Sequence, residues 1–365
     1  MKKILIVFNH PAPYKVAFFN ELAKYYDLTV IFERNKEKSR NKKFYYETKY
    51  NFKTVHIKGF PFGNMNFVSG GVKNHLKNNK YDLVIMNGWR QNAERRGIKY
   101  LNKHHIPFVL YINGGIIKTR ELSLITKIKT KYISSASYYF SPDKESNKYL
   151  VYYGANCEHI FNYPYATISE SEILANPISS EEKVIMRKNK NIVGSKVFVS
   201  CGQLIKRKNY FELIKRWSNL PSDFILLIIG DGQEKRRYLS YIKKHNLTNI
   251  KLLGFMSRKE IFEYYRLSDA FIFPSKEDIY GHVINEAMSQ GLPIISTPNV
   301  NAAKHLIRDG QTGYIIPSIN SNEFTESLSK ILDTDTFLNC TNEAKENTLE
   351  KMVNKHIEEL EEIIK

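Results

Sequence analysis

The chain of 365 residues carries 55 Lys and Arg against 37 Asp and Glu, a formal net charge of +18, with 42% hydrophobic and 25% charged residues. Such a length exceeds one ordinary core and suits two α/β domains of roughly 150 to 200 residues, and the composition excludes long disorder. Cys157, Cys201 and Cys340 are odd in number and far apart, which argues against a disulfide framework and for a reducing, cytoplasmic setting.

At the start, Lys2 and Lys3 precede ILIVF, but Asn9, His10 and Pro11 end that run too early for a signal peptide, so it reads as a first buried strand. The amphipathic YKVAFFNELAKYY follows, then LTVIFE, YDLVIMNG, IPFVLYING and SYYFSPD. Short, near-continuous apolar runs separated by helical patterns mark strands buried on both faces of a parallel sheet. Residues 1–165 therefore read as one doubly wound, Rossmann-like domain. Within it, RNKEKSRNKKF at 34–44 reads as a solvated loop. The stretch TRELSLITKIKTKYI places Leu124, Ile125 and Ile128 on one face with Arg120, Lys127 and Lys131 around it. A basic amphipathic helix of this kind suits an anionic membrane surface, and no apolar stretch approaches the ~18 to 20 residues that would span a bilayer.

The rhythm pauses at 159–183, a segment with Pro and several Ser that reads as the interdomain linker. It restarts with KVFVSCG, FILLIIGDG, IKLLGFM, DAFIFPS and LPIISTP, which define a second Rossmann-like domain over 166–345. The last segment, 346–365, sets Leu349, Met352, Val353, His356, Ile357 and Leu360 on helical spacing, a terminal amphipathic helix.

In open parallel sheets ligands bind at the carboxyl ends of the strands, so the turns after the apolar runs are the places to search. After KVFVSCG, Gly202 allows close backbone approach, Gln203 follows, and Lys206, Arg207 and Lys208 lie at the entry of a helix. Ammonium charge and unpaired N–H groups there favour a phosphate. Gly230, Asp231 and Gly232 form a turn that serves either ligand contact or plain turn geometry. Phe255 and Met256 supply either the wall of a nucleobase pocket or core packing. The fourth turn, SKEDIYGHVINEAMSQG, opens a helix near Gly281. Backbone N–H groups from Tyr280 to Val283 would form an anion-friendly nest, while Asp278 and Glu286 would accept hydrogen bonds from hydroxyl groups. A ligand both anionic and rich in hydroxyls, such as a nucleotide sugar, fits this chemistry. The competing reading makes Asp278 a helix cap.

The stretch EDIYGHVINEAMSQGLPIIST resembles the Glu-x7-Glu segment of retaining glycosyltransferases of the GT-B fold, family four, with Asp278 in the first acidic position and Glu286 in the second. CGQLIKRKNYFELI resembles that family's phosphate loop, with Gln203 at its usual Arg, and IIGDGQEK, LLGFMSRKEIFEYYRLSDAFIFPS and LIRDGQTGYII follow in the family's order. PAPYKVAFFNELAKYYDLTVIFER and YINGG are similar to members that assemble bacterial capsule, lipopolysaccharide or O-antigen. The resemblance implies two Rossmann-like domains facing a cleft, with the terminal helix crossing back to the first. It implies Glu286 on the donor ribose, Asp278 on the transferred sugar, and Lys208 on the diphosphate, with Arg207, Ile279, Tyr280, Gly281, His282 and Val283 nearby. The expected co-substrate is a nucleoside-diphosphate sugar, most readily a UDP-sugar, used without a metal; Asp333-Thr334-Asp335 is read as a cap or turn. The acceptor, a lipid-linked or oligosaccharide chain, is assigned to the first domain at His10, Tyr14, Asn113, Gly114 and Gly115. Localisation follows as cytoplasmic, on the inner face of the cell membrane. Two other classes stand beside this reading: an epimerase or phosphorylase of the same fold, and a nucleic-acid-binding protein. The latter rests on the charge alone and has no recognisable binding motif, so no nucleic-acid partner is expected.

Overall fold

The computed structural model describes residues 1–36, 42–45, 49–62, 66–118, 120–332 and 335–365. They form two compact units: Met1–Tyr165 together with Glu350–Lys365, and Ala166–Leu349.

In the first unit the strands are β1 (Lys3–Phe8), β2 (Asp27–Phe32), β3 (Lys53–His56), β4 (Phe60–Phe62), β5 (Asn66–Val68), β6 (Leu83–Asn87), β7 (Val109–Tyr111), β8 (Tyr138–Ser141) and β9 (Ile160–Asn162). Seven of them make one parallel sheet in the order β3-β2-β1-β6-β7-β8-β9, and β4 pairs antiparallel with β5. The apolar runs of β1, β2 and β6 are buried along almost their whole length, as a sheet covered by helices on both faces requires. Edge strand β3, KTVH, is only partly buried and carries no apolar run. The segment 159–183, read as linker, begins with β9, whose three residues extend the sheet by pairing with β8.

The terminal helix Leu349–Ile364 packs into this unit with Met352, Val353, His356 and Leu360 buried. The His356 ring lies 4.6 Å from Tyr163, 4.7 Å from Phe18 and 4.8 Å from Phe140, centroid to centroid. Its Nδ1 hydrogen-bonds the Met352 carbonyl at 2.7 Å, so this nitrogen carries the proton. Burial in that aromatic box pulls its pKa down to about 3, and the ring is neutral.

The second unit contains β10 (Lys196–Cys201), β11 (Phe224–Ile229), β12 (Ile250–Gly254), β13 (Ala270–Phe273), β14 (Ile294–Ser296) and β15 (Gly313–Ile315). They form a parallel sheet in the order β12-β11-β10-β13-β14-β15. Val197, Val199, Leu226, Ile228, Phe271 and Ile272 are inaccessible to solvent, each worth about 1.5–3 kcal/mol of burial. In both sheets the strand order reverses beside the first strand, between β1 and β6 and between β10 and β13. Doubly wound sheets open a crevice at the carboxyl ends of such strands.

Candidate functional site

In unit 2, the turn after β10 and the turn after β11 touch backbone to backbone. Gly230 has φ +142°, and a Cβ there would stand 1.9 Å from the Gly202 carbonyl oxygen, so only glycine fits. Leu204 N donates to Asp231 O at 2.9 Å and Glu234 N to Leu204 O at 3.0 Å, locking the two turns together. The chain then makes a short 3-10 turn, Lys206–Lys208, and passes through Asn209 at φ +63° into the helix Tyr210–Trp217. That detour turns Lys208 inward while Lys206 and Arg207 stay exposed.

Lys208, 8% exposed, forms an ion pair with Asp278, also 8% exposed, and its ammonium sits 4.3 Å from the centroid of the Phe273 ring. Arg207 Nη1 lies 3.4 Å from the same Asp278 oxygen and donates to the Glu277 carbonyl. The other Asp278 oxygen accepts from Tyr280 N at 3.3 Å. Burial opposes ionisation of Asp278, but Lys208, Arg207 and the Tyr280 N–H outweigh it and hold the carboxyl below its ordinary value. Desolvation likewise pulls Lys208 below the usual lysine range, with Asp278 working against it. Asp278 is fixed at the backbone too: its N donates to Asn299 O at 2.9 Å and its carbonyl accepts from Asn301 N at 3.3 Å. Two cations and one carboxylate leave a net positive charge at the carboxyl ends of β10 and β13.

The turn continues through exposed Ile279 and buried Tyr280 to Gly281, whose φ of +106° and crowding against Val300 exclude a side chain. The helix expected near Gly281 begins at Val283 and runs only to Met288, with half-buried His282 at its cap position. Glu286 projects from it. Its Oε1 accepts from Thr167 Oγ1 at 2.8 Å and lies 3.6 Å from Arg258 Nη1. Cys201, buried at the end of β10, is pushed up to about 12 by desolvation and then by the charge of Glu286, and it also feels Lys208.

Of the remaining positions, Gly202 and Gln203 are half-buried beside Lys208, and Phe255 and Met256 are half-buried just after β12. Asp231 turns back on its own loop: Oδ1 accepts from Gly232 N at 2.8 Å and lies 3.8 Å from Lys235 Nζ. Asp333 and Thr334 lie outside the described residues. Thr167, Glu172 and Arg258 escaped the sequence reading. Their capping boxes, Ser169 to Glu172 and Ser257 to Glu260, are local patterns, but nothing local signals a bond across 119 residues to Glu286.

In unit 1, His10 follows β1 and is 7% exposed; its Nδ1 lies 3.1 Å from Tyr45 Oη. Tyr14 opens the helix Pro13–Leu22 and its hydroxyl lies 3.4 Å from that of Tyr165. Asn113, after β7, donates to Asn87 Oδ1 at 2.9 Å, and its own buried amide oxygen has no hydrogen-bond partner among the described residues. Gly114 has φ +138°, and a Cβ on Gly115 would meet the Tyr149 ring at 2.4 Å. Next to Tyr14, Lys15 is fully buried: Nζ donates to Tyr111 Oη at 2.9 Å and lies 4.5 Å from the centroid of the Tyr165 ring. Burial alone drives its pKa well below the ordinary lysine value.

Residues 181–350, most of unit 2, match the family model described as "Glycosyl transferases group 1". The whole chain has the GT-B fold. It superposes on sucrose-phosphate synthase from Thermosynechococcus elongatus with a TM-score of 0.79 at 14% identity, covering 100% of this chain and 99% of that one. It superposes on Anabaena HepE, solved with UDP, with a TM-score of 0.78 at 17% identity, covering 99% and 100%. In sequence, 165 residues are 28% identical to the N-acetylgalactosamine-N,N'-diacetylbacillosaminyl-diphospho-undecaprenol 4-alpha-N-acetylgalactosaminyltransferase of Campylobacter jejuni, 45% of each chain. A further 29% identity over 158 residues links it to the amylovoran biosynthesis glycosyltransferase AmsD of Erwinia amylovora, 43% of this chain and 42% of that one. The aligned part thus spans less than half the length of these curated relatives.

Proposed function

We propose that the protein is a glycosyltransferase of bacterial surface-polysaccharide synthesis, moving a sugar from a nucleoside-diphosphate sugar, most readily a UDP-sugar, to a hydroxyl of a lipid-linked glycan. The observation that carries this reading is the Lys208–Asp278 pair, fixed with Glu286 at the carboxyl ends of β10 and β13. The named acceptor chemistry of the Campylobacter jejuni relative and the UDP bound to Anabaena HepE support it.

In this reading the diphosphate meets Lys208 and Arg207, whose charge grows in value as the leaving group takes up its electrons. Such contacts act on the transition state more than on the bound donor. Asp278 keeps Lys208 oriented before the donor arrives and offers its oxygens to a sugar hydroxyl, while Glu286 accepts from the ribose. Phe255 and Met256 flank the base. The anomeric configuration is retained, and no residue is assigned as a nucleophile. His10, Tyr14, Asn113, Gly114 and Gly115 receive the acceptor, the Asn113 amide oxygen taking one of its hydroxyls. Calorimetric titration with UDP tests the donor half: Glu286→Ala weakens binding at least about tenfold, the worth of a lost hydrogen bond to a charged group. Unchanged affinity in the variant removes the assignment.

The helix Ser123–Ile133 supports a membrane-bound acceptor. Of the expected face, Leu124 and Ile125 are 67% and 41% exposed, joined by Leu122 at 71%, with Lys127 and Lys131 on the same helix. Ile128 is instead half-buried, because its side chain fills the packing against the core of unit 1. The exposed part is a basic amphipathic surface suited to anionic headgroups. No helix among the described residues is long and apolar enough to cross a membrane. The protein is expected to float with anionic vesicles and to be released by salt; equal flotation with neutral vesicles rejects this surface.

A further inference from the structure

The segment that enters unit 2 reaches the donor carboxylate almost at once. Thr167, the second residue of that unit, donates its hydroxyl to Glu286 Oε1 at 2.8 Å. Its carbonyl accepts from Arg258 Nη2 at 2.8 Å, and Arg258 Nη1 lies 3.6 Å from the same Glu286 oxygen. Arg258 is gripped in turn by Glu172, with Nε to Oε1 at 2.6 Å and Nη2 to Oε2 at 3.2 Å. One residue along, Ile168 O accepts from Leu349 N at 2.7 Å, so the strands of chain entering and leaving the unit are joined beside Thr167.

A glutamate on a helix of one and a half turns has several rotamers open to it, and each turns its oxygens elsewhere. Here one oxygen is occupied by a hydroxyl and faces a guanidinium already committed to Glu172. The arrangement leaves Oε2 as the oxygen available to a ligand. Removing the Thr167 hydroxyl frees Glu286 to close the 3.6 Å gap to Arg258 as a direct ion pair, which turns the carboxylate away.

We propose that Thr167 is a positioning residue for donor recognition: its hydroxyl, backed by the Arg258–Glu172 pair, holds Glu286 so that Oε2 meets the ribose hydroxyls. The entering segment thereby sets nucleotide affinity. This rests on the assignment of Glu286 to the ribose made above.

The test compares calorimetric affinities for UDP and for 2′,3′-dideoxy-UDP in the wild type, Thr167→Val, Thr167→Ser and Glu286→Ala, with melting temperatures to confirm folding. The expected result is a preference for UDP over the dideoxy nucleotide in the wild type. Thr167→Val cuts that preference by about tenfold, the value of one hydrogen bond to a charged group, and Thr167→Ser restores it. If Thr167→Val keeps the wild-type preference while Glu286→Ala abolishes it, the positioning role is wrong and the ribose assignment stands. Equal weakening toward both nucleotides in Thr167→Val makes the residue merely structural and overturns the proposal. An undiminished preference in Glu286→Ala defeats the ribose assignment, and this inference with it. Should Thr167→Val not fold, Thr167→Ala carries the same comparison.

Discussion

Each unit buries a lysine near the carboxyl edge of its sheet, and the two are treated in opposite ways. Lys208 meets Asp278, with Arg207 close by, and the pair is held by backbone bonds from three neighbouring turns. Lys15 meets a phenol and a ring of aromatic faces, with no charged group among the causes of its pKa shift. A desolvated ammonium is costly in either place. In unit 2 that cost is offset by a carboxylate, which keeps a charge standing where an anion would bind. In unit 1 desolvation pulls the pKa down with no carboxylate among the described residues set against it, and Lys15 meets aromatic faces and the Tyr111 hydroxyl. Burial by itself is therefore a poor guide to function, and the partner decides.

The sharpest break in this comparison is the same substitution at both lysines. Lys208→Met should lower the rate of sugar transfer by about 10²–10³-fold, the usual value of a lost leaving-group contact. It should also destabilise the fold, by less than the ~3–5 kcal/mol of a wholly unpaired buried charge, because Arg207 and the Tyr280 N–H still face Asp278. Lys15→Met should stay within about 1.5 kcal/mol of the wild type or gain stability at neutral pH, since an apolar chain of similar volume replaces a desolvated amine. Urea unfolding and a donor-hydrolysis or transfer assay read both; a Lys15→Met loss as large as that of Lys208→Met would erase the distinction.

A smaller effect sharpens it in unit 1 alone. The folded-state pKa of His356 is depressed from 6.5 to about 3, so between those values the unfolded chain binds the extra proton and the folded one does not. Stability from this group is complete above pH ~6.5 and falls by at most about 1.4 kcal/mol per pH unit as the solution is acidified toward pH 3. His356→Leu should flatten that part of the acid limb in a series of melting curves from pH 7 to 4. An unchanged slope would show that His356 already titrates normally.

The strands that build both sheets were legible because parallel sheets bury whole runs such as ILIVF and FILLII, and length distinguishes these from helices. Strands β3, β9 and β15 were not, being short edge pieces whose pairing comes from neighbours and not from an apolar run of their own. At the site, Lys208, Asp278 and Glu286 were visible as charged residues in turns after strands. Their pairing was not: the bond between Lys208 and Asp278 spans 70 residues, and it depends on the left-handed Asn209 that swings the lysine inward. Thr167 was hidden inside a segment that composition describes only as linker.

The aromatic box around His356 joins residues from both ends of the chain, with all of unit 2 lying between them in sequence. During synthesis, the N-terminal sheet emerges first, yet the helix that covers Phe18, Phe140 and Tyr163 is translated only after the whole second unit. Domains fold largely in the order they leave the ribosome, so the earlier one must wait with that greasy flank uncovered while the later one completes. A message truncated before codon 350 would yield a finished second unit attached to an unfinished first, and a natural target for quality control.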